Sequence, residues 1–271
     1  ERDPSCANVM ARLFSEAGLP DGVFNVVHGD KVAVDCILEH EGIEAVSFVG
    51  STPVAEYIYH LGTANNKRVQ ALGGAKNHAI IMPDADIDQA VDAMIGAAFG
   101  SAGERCMALS VAVVVGNDIA DEMINKIKYQ AINIKVGCGM VTDNEMGPLI
   151  TKEHCDRVKR LISEGQGQGA KVVLDGREFE GPKGNKNGYF CGPTILDNVT
   201  KDMSVYKEEI FGPVLVVVRV ESYDEAVKLV QNHEYGNGTC IFTRDGDIAR
   251  NFTRKIKVGM VGVNVPLPEP L

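Results

Sequence analysis

Two periods of apolar residues, one near 3.6 and one near 2, alternate along the chain, and the switches between them mark its elements. Asp3-Pro4 reads as a helix start, with Asp as the cap and Pro in the first turn. Val9, Met10, Leu13, Phe14 and Ala17 then form an amphipathic stripe that ends at Gly18. Residues 23–28 are apolar and β-rich and predict a strand, Lys31–Glu39 a helix, and Ala45–Val49 a second strand. Gly50-Ser51-Thr52-Pro53 opens another helix, and residues 69–72 predict a third strand. Helices and strands in this order predict parallel strands joined by crossovers, as in a doubly wound sheet.

After Gly73-Gly74 the pattern changes. Residues 78–82 predict a short strand and Ile87–Phe99 an Ala- and Met-rich helix. Leu109–Val115 is almost wholly apolar, as befits a strand buried on both faces. Residues 118–134, 151–165, 223–232 and 247–257 read as helices. Lys171–Leu174, Val214–Val220, residues 240–242 and Met260–Val263 read as strands, and the polar, glycine-rich residues 176–192 as a surface loop. The expected fold class is α/β. The expected division is a partial doubly wound domain over residues 1–81, a second α/β domain over 82–258, and a segment over 259–271 that returns to the first.

Composition narrows the function. With 27 Lys+Arg against 37 Asp+Glu the net charge is −10, which argues against a nucleic-acid partner. No run approaches the roughly 18 apolar residues of a membrane span, and the start lacks the basic-then-apolar pattern of a signal peptide. The seven cysteines are widely spaced, with no CxxC, and the six histidines form no HExxH, so neither a disulfide framework nor a metal is expected. The chain opens on a helix cap without Met and closes on a Pro-rich run after an apolar strand. Both features predict an internal stretch of a longer protein.

Three runs can carry chemistry. The first is Gly100-Ser101-Ala102-Gly103-Glu104-Arg105-Cys106-Met107-Ala108, between an apolar helix and a buried strand. Small residues there let a substrate approach the backbone, and Arg105 beside Cys106 favours the thiolate. An unshifted thiol is only about 3% ionised at pH 7. The alternative is a buried, inert cysteine. In the second, Phe48-Val49-Gly50-Ser51, Ser51 either caps its helix or meets a phosphate at the helix N-terminus. In the third, Lys207-Glu208-Glu209-Ile210-Phe211-Gly212-Pro213, a carboxylate on a stiff loop can grip ribose hydroxyls or can simply be solvated. Gly165-Gln166-Gly167-Gln168-Gly169 follows a helix and reads as a helix stop, while His28 and His78 read as core or edge histidines.

With Phe48-Val49-Gly50-Ser51, Leu72-Gly73-Gly74, Gly103-Glu104-Arg105-Cys106, Gly147-Pro148-Leu149 and Glu208–Pro213 in this order, the chain resembles the aldehyde dehydrogenase superfamily over nearly its whole length. Residues 69–78, 105–108 and 261–266 resemble its CoA-acylating, methylmalonate-semialdehyde branch. The resemblance implies an NAD-binding sheet, here partial, and a catalytic domain. It implies Cys106 as the nucleophile, Glu209 as the acid that holds the nicotinamide ribose, and Ser51, Gly73 and Phe211 near the cofactor. Glu1 and Arg2 match the end of a motif on the adenosine side. Where hydrolytic members carry a Glu before Leu-Gly-Gly, this chain has Ala71, which cannot take a proton from water. Coenzyme A would then release the acyl group.

The implied reaction turns methylmalonate or malonate semialdehyde into propionyl-CoA or acetyl-CoA, with Arg105 paired to the substrate carboxylate. Its partners would be the semialdehyde and coenzyme A, in a homo-oligomer that is a tetramer when intact. The implied compartment is the mitochondrial matrix in a eukaryote and the cytoplasm in a bacterium. The rival readings are a hydrolytic semialdehyde dehydrogenase and an incompetent piece that only binds nucleotide or a partner. The segment carrying the family's oxyanion-hole Asn is not matched.

Overall fold

The runs LSVAVVV and VLVVVRV, apolar at almost every position, become adjacent central strands of a seven-stranded sheet. The computed structural model describes residues 2–179, 181–182 and 187–267. In chain order the strands are β1 (Ala45–Val49), β2 (Arg68–Leu72), β3 (Asn77–Ile81), β4 (Leu109–Val115), β5 (Lys171–Leu174), β6 (Thr194–Asp197), β7 (Val214–Val220), β8 (Gly238–Phe242) and β9 (Met260–Val263). The helices are α1 (Ser5–Glu16), α2 (Lys31–Glu39), α3 (Thr52–Ala64), α4 (Ile87–Phe99), α5 (Asn117–Ile132), α6 (Lys152–Gly167), α7 (Ser204–Lys207), α8 (Tyr223–Gln231) and α9 (Gly246–Lys255). The chain divides into two units after Gly74.

In the smaller unit β1 and β2 pair in parallel, with Ala45 opposite Arg68. Leu38, Ala55 and Ile58 are buried there. Lys67 is buried with them, and its ammonium is served by the carbonyls of His40 and Ile43 at 2.6 Å each. The strand expected at residues 23–28 does not form, because a strand needs a neighbour for its N–H and C=O groups and none of the described strands lies beside this stretch. Phe24 instead packs its ring on Phe14 of α1, with centroids 5.1 Å apart.

The larger unit holds the order β5-β6-β7-β4-β3-β8-β9, with every pair parallel except antiparallel β5–β6. Helices supply the covering layer. α4 buries Ala90, Val91, Met94, Ala98 and Phe99, and α5 buries Ala120, Met123, Ile124, Ile127 and Ala131. Their ends are capped as polar chemistry requires. Asp86 accepts from the Gln89 N–H, Thr151 from His154, and Asp245 from Asp247 and Ile248. Between β6 and β7, Asp197 (1% exposed) takes a two-pronged bond from Arg219, at 2.9 and 2.8 Å.

The division differs from the expected one in two places. It falls after Gly74 instead of residue 81, because β3 is wholly buried between β4 and β8 and belongs to the larger sheet. Residues 260–263 do not return to the smaller unit. They pair with β8 as the edge strand β9, with Met260 opposite Gly238. Strand β6 and the one-turn helix α7 are elements that the pattern did not predict.

The link between α4 and β4 opens with a tight turn, Gly100–Gly103, in which Ser101 (φ 50°), Ala102 (φ 55°) and Gly103 (φ 70°) are all left-handed. At Gly103 a Cβ would lie 2.1 Å from the Gly212 carbonyl oxygen. Glycine is therefore demanded twice, by the backbone angle and by the contact. Gly103→Ala is expected to cost about 2–4 kcal/mol of stability, read as a lower urea midpoint at unchanged slope; a wild-type midpoint would show that the contact gives way freely.

Candidate active site

Cys106 and Glu209 lie on two loops that meet at the amino ends of β3, β4, β7 and β8 in the larger unit. Open α/β sheets usually bind ligands at the carboxyl ends of their strands, so this site breaks the rule that sequence patterns invite. The cleft is lined by Ala75, Asn77, Arg105, Cys106, Glu209 and Phe211, with Gly103 and Gly212 at its floor.

The Cys106 loop is tied down by one buried side chain. Asn77, at the start of β3, donates both amide N–H bonds, to the Cys106 and Ala108 carbonyls at 2.9 Å each. Its oxygen accepts from the Gly238 N–H at 3.1 Å. Asn237 adds a second bond to the Cys106 carbonyl at 3.0 Å. Cys106 itself is exposed. Cys155, Cys191 and Cys240 are buried, and burial pushes their thiols up, Cys191 to about 12. Arg105 Nε donates to Ser101 Oγ at 3.3 Å, and its guanidinium lies over Gly100.

Glu104 was part of the run read from the sequence but received no role there. Its carboxylate accepts from the Ile150 N–H at 3.4 Å and sits 3.5 Å from His154 Nε2. Burial pushes its carboxyl up to about 7. His154 Nε2 also bonds the Phe211 carbonyl, which requires the proton on that nitrogen. Across the cleft the Glu209 Oε1 accepts from the Ala75 N–H at 3.1 Å. Burial raises the Glu209 carboxyl, opposed by that bond and by Lys76 and Arg157. Phe211 holds a left-handed φ of 59° with its ring partly exposed.

Arg105, Cys106, Glu209 and Phe211, all picked out from the sequence, thus line one cleft. Ser51 and Gly73 belong to the smaller unit. Ser51 is the N-cap residue of α3, but its side chain makes no capping bond. Thr52 Oγ1 instead accepts from the Gly74 N–H at 3.0 Å, and a Cβ on Gly73 would lie 2.8 Å from that oxygen. Arg2 is exposed, and Glu1 lies outside the described residues. His78 is buried against Tyr206 and driven down to about 3, a neutral core histidine, and His28 bonds Asn8 at the surface. Among the described residues no cluster of three metal-ligating side chains occurs, and no helix is long and apolar enough to cross a membrane.

The sequence pattern of the aldehyde dehydrogenase family matches residues 1–270. Malonate-semialdehyde dehydrogenase of Pseudomonas aeruginosa is 59% identical over all 271 residues, which correspond to 54% of its length. Methylmalonate-semialdehyde dehydrogenase of Oceanimonas doudoroffii superposes with a TM-score of 0.96 at 57% identity, over 100% of this chain and 55% of that one. A Sinorhizobium meliloti protein assigned to the same activity and solved with NAD gives 0.97 at 56% identity, over 100% and 55%. The chain therefore spans about half the length of these relatives. On a match that leaves out only the last residue, the chain belongs to the aldehyde dehydrogenase family.

Proposed function

We propose that this chain carries the reaction centre of an NAD-dependent, CoA-acylating dehydrogenase acting on malonate or methylmalonate semialdehyde. The observation that carries the proposal is an exposed cysteine sharing one cleft with a guanidinium and a half-buried carboxylate. The names of the relatives support the substrate class.

The residues fit the cofactor. Glu209 gives one oxygen to Ala75, and its other oxygen has no protein partner among the described residues, so it can accept from a ribose hydroxyl. Phe211 offers a partly exposed apolar ring beside it. Ser51, Gly73, Glu1 and Arg2 are assigned to the cofactor on the family resemblance alone. NAD, when bound, accepts the hydride.

Cys106 does the covalent work. Its thiolate adds to the aldehyde carbon and makes a thiohemiacetal, with the oxyanion near the Cys106 N–H. Loss of hydride leaves a thioester on the sulfur. Arg105 holds the substrate's carboxylate through its planar fork. Ala71, in β2, stands in the sequence where hydrolytic members of the family carry a Glu, and its methyl group cannot take a proton from water. The coenzyme A thiolate then attacks the thioester and frees the Cys106 sulfur; the substrate carboxylate departs as carbon dioxide, its bonding pair passing into the thioester as an enolate whose carbon takes a proton from water.

Two measurements test this reading. With malonate semialdehyde and NAD, steady NADH formation is expected only when coenzyme A is present and not at all in Cys106→Ala. Steady turnover without coenzyme A would instead make the enzyme hydrolytic. Arg105→Leu is expected to raise KM for malonate semialdehyde about 10- to 100-fold while leaving KM for propanal unchanged; an equal change for both aldehydes would remove Arg105 from the carboxylate.

A further inference from the structure

Four successive backbone carbonyls of the loop over residues 208–211 each accept a bond from a nitrogen side chain outside the loop. Lys76 Nζ donates to the Glu208 carbonyl at 2.8 Å and also to that of Val205 at 2.7 Å. Arg157 donates to the Glu209 and Ile210 carbonyls at 3.0 Å each, and to the Glu208 carboxylate at 3.2 Å. His154 donates to the Phe211 carbonyl. Arg157 and His154 stand three residues apart on α6 and so share a face.

This support is costly where it need not be. Lys76 is 2% exposed. Burial drives its ammonium down to about 7, against the pull of Glu209 and Glu208. A methionine would fill the same space without desolvating a charge. What the lysine adds is direction, because its two acceptors are fixed points of the loop's backbone. Lys76 also lies between Ala75, whose N–H bonds the Glu209 carboxylate, and Asn77, whose amide bonds the Cys106 carbonyl. Three consecutive residues therefore set the positions of both functional loops.

We propose that Lys76 and Arg157 are positioning residues for the cofactor, holding the loop carbonyls so that the Glu209 carboxylate rests on Ala75 and turns its second oxygen to the cleft. This rests on the reading of Glu209 as a ribose holder. The Cys106 loop has its own anchor in Asn77, so loosening the clamp should disturb cofactor binding and leave the thiol's reactivity alone.

The test compares Lys76→Met, Arg157→Met, Arg157→Lys and Glu209→Gln in the full chain. Two quantities are read, KM for NAD and the rate at which iodoacetamide inactivates Cys106 without cofactor. Lys76→Met and Arg157→Met are expected to raise KM for NAD about tenfold or more, with inactivation at the wild-type rate. Arg157→Lys should recover part of the loss. Arg157→Met added to Glu209→Gln should raise KM no further, since the clamp acts through that carboxylate. Additive effects, or unchanged KM in the clamp variants while Glu209→Gln raises it, would overturn the clamp and leave the Glu209 reading intact. An unchanged KM in Glu209→Gln would overturn that reading and the clamp with it. Should Lys76→Met fail to fold, the Arg157 pair decides, because that side chain is 35% exposed and its replacement is expected to leave the fold intact.

Discussion

A buried amide must find partners for its oxygen and for both its N–H bonds, and Asn77 finds them on two different segments. Its nitrogen holds the Cys106 and Ala108 carbonyls, and its oxygen holds the Gly238 N–H. Because Asn77 begins β3, an interior strand beside the central β4 of the larger sheet, the cysteine loop inherits the rigidity of the core. An apolar residue there would take the described partner from the Ala108 carbonyl and the Gly238 N–H and leave the Cys106 carbonyl to Asn237 alone, each lost partner at a cost of about 1–3 kcal/mol. The geometry of the cleft follows from this constraint. The Cys106 backbone is fixed, and the carboxylate loop is fixed against the neighbouring residues Ala75 and Lys76.

Much of the fold was legible in the sequence because its strands are buried on both faces. The runs of β4 and β7 read as covered strands because they are only seven residues long and rich in β-branched valine, and the limits of α2, α4 and β5 follow from caps and turns. The stretch over residues 23–28 shows the limit of the method. Its composition is that of a strand, but composition cannot supply the neighbour that a strand bonds to. Strand β6 was missed for the opposite reason. Four residues after a glycine-rich loop carry little pattern, yet an antiparallel neighbour on one side and a parallel one on the other define them.

The site divides in the same way. Cys106 and Glu209 stand out as candidates because their chemistry is local, a thiol among small residues and an acid on a stiff turn, while their roles rest on the family resemblance. Asn77, Lys76, His154 and Arg157 are not readable by spacing, because their partners lie 29 to 161 residues away in the chain. A weak signal was present in two polar residues, Lys76 and Asn77, set directly before an apolar strand. Ser51 occupies the cap position without a side-chain capping bond, and its neighbour Thr52 accepts from the Gly74 N–H, a contact that no local pattern announces.

The contact between Gly103 and Gly212 sets the distance between the two functional loops by backbone alone. No side chain can be trimmed there to bring the loops closer, and none can be enlarged to spread them. The gap between sulfur and carboxylate is thus insulated from ordinary sequence drift. Under the proposed function, differences in substrate preference then fall to side chains that line the cleft, such as Arg105. On that reading, a site built this way can alter which aldehyde it accepts and still keep the same separation between Cys106 and Glu209.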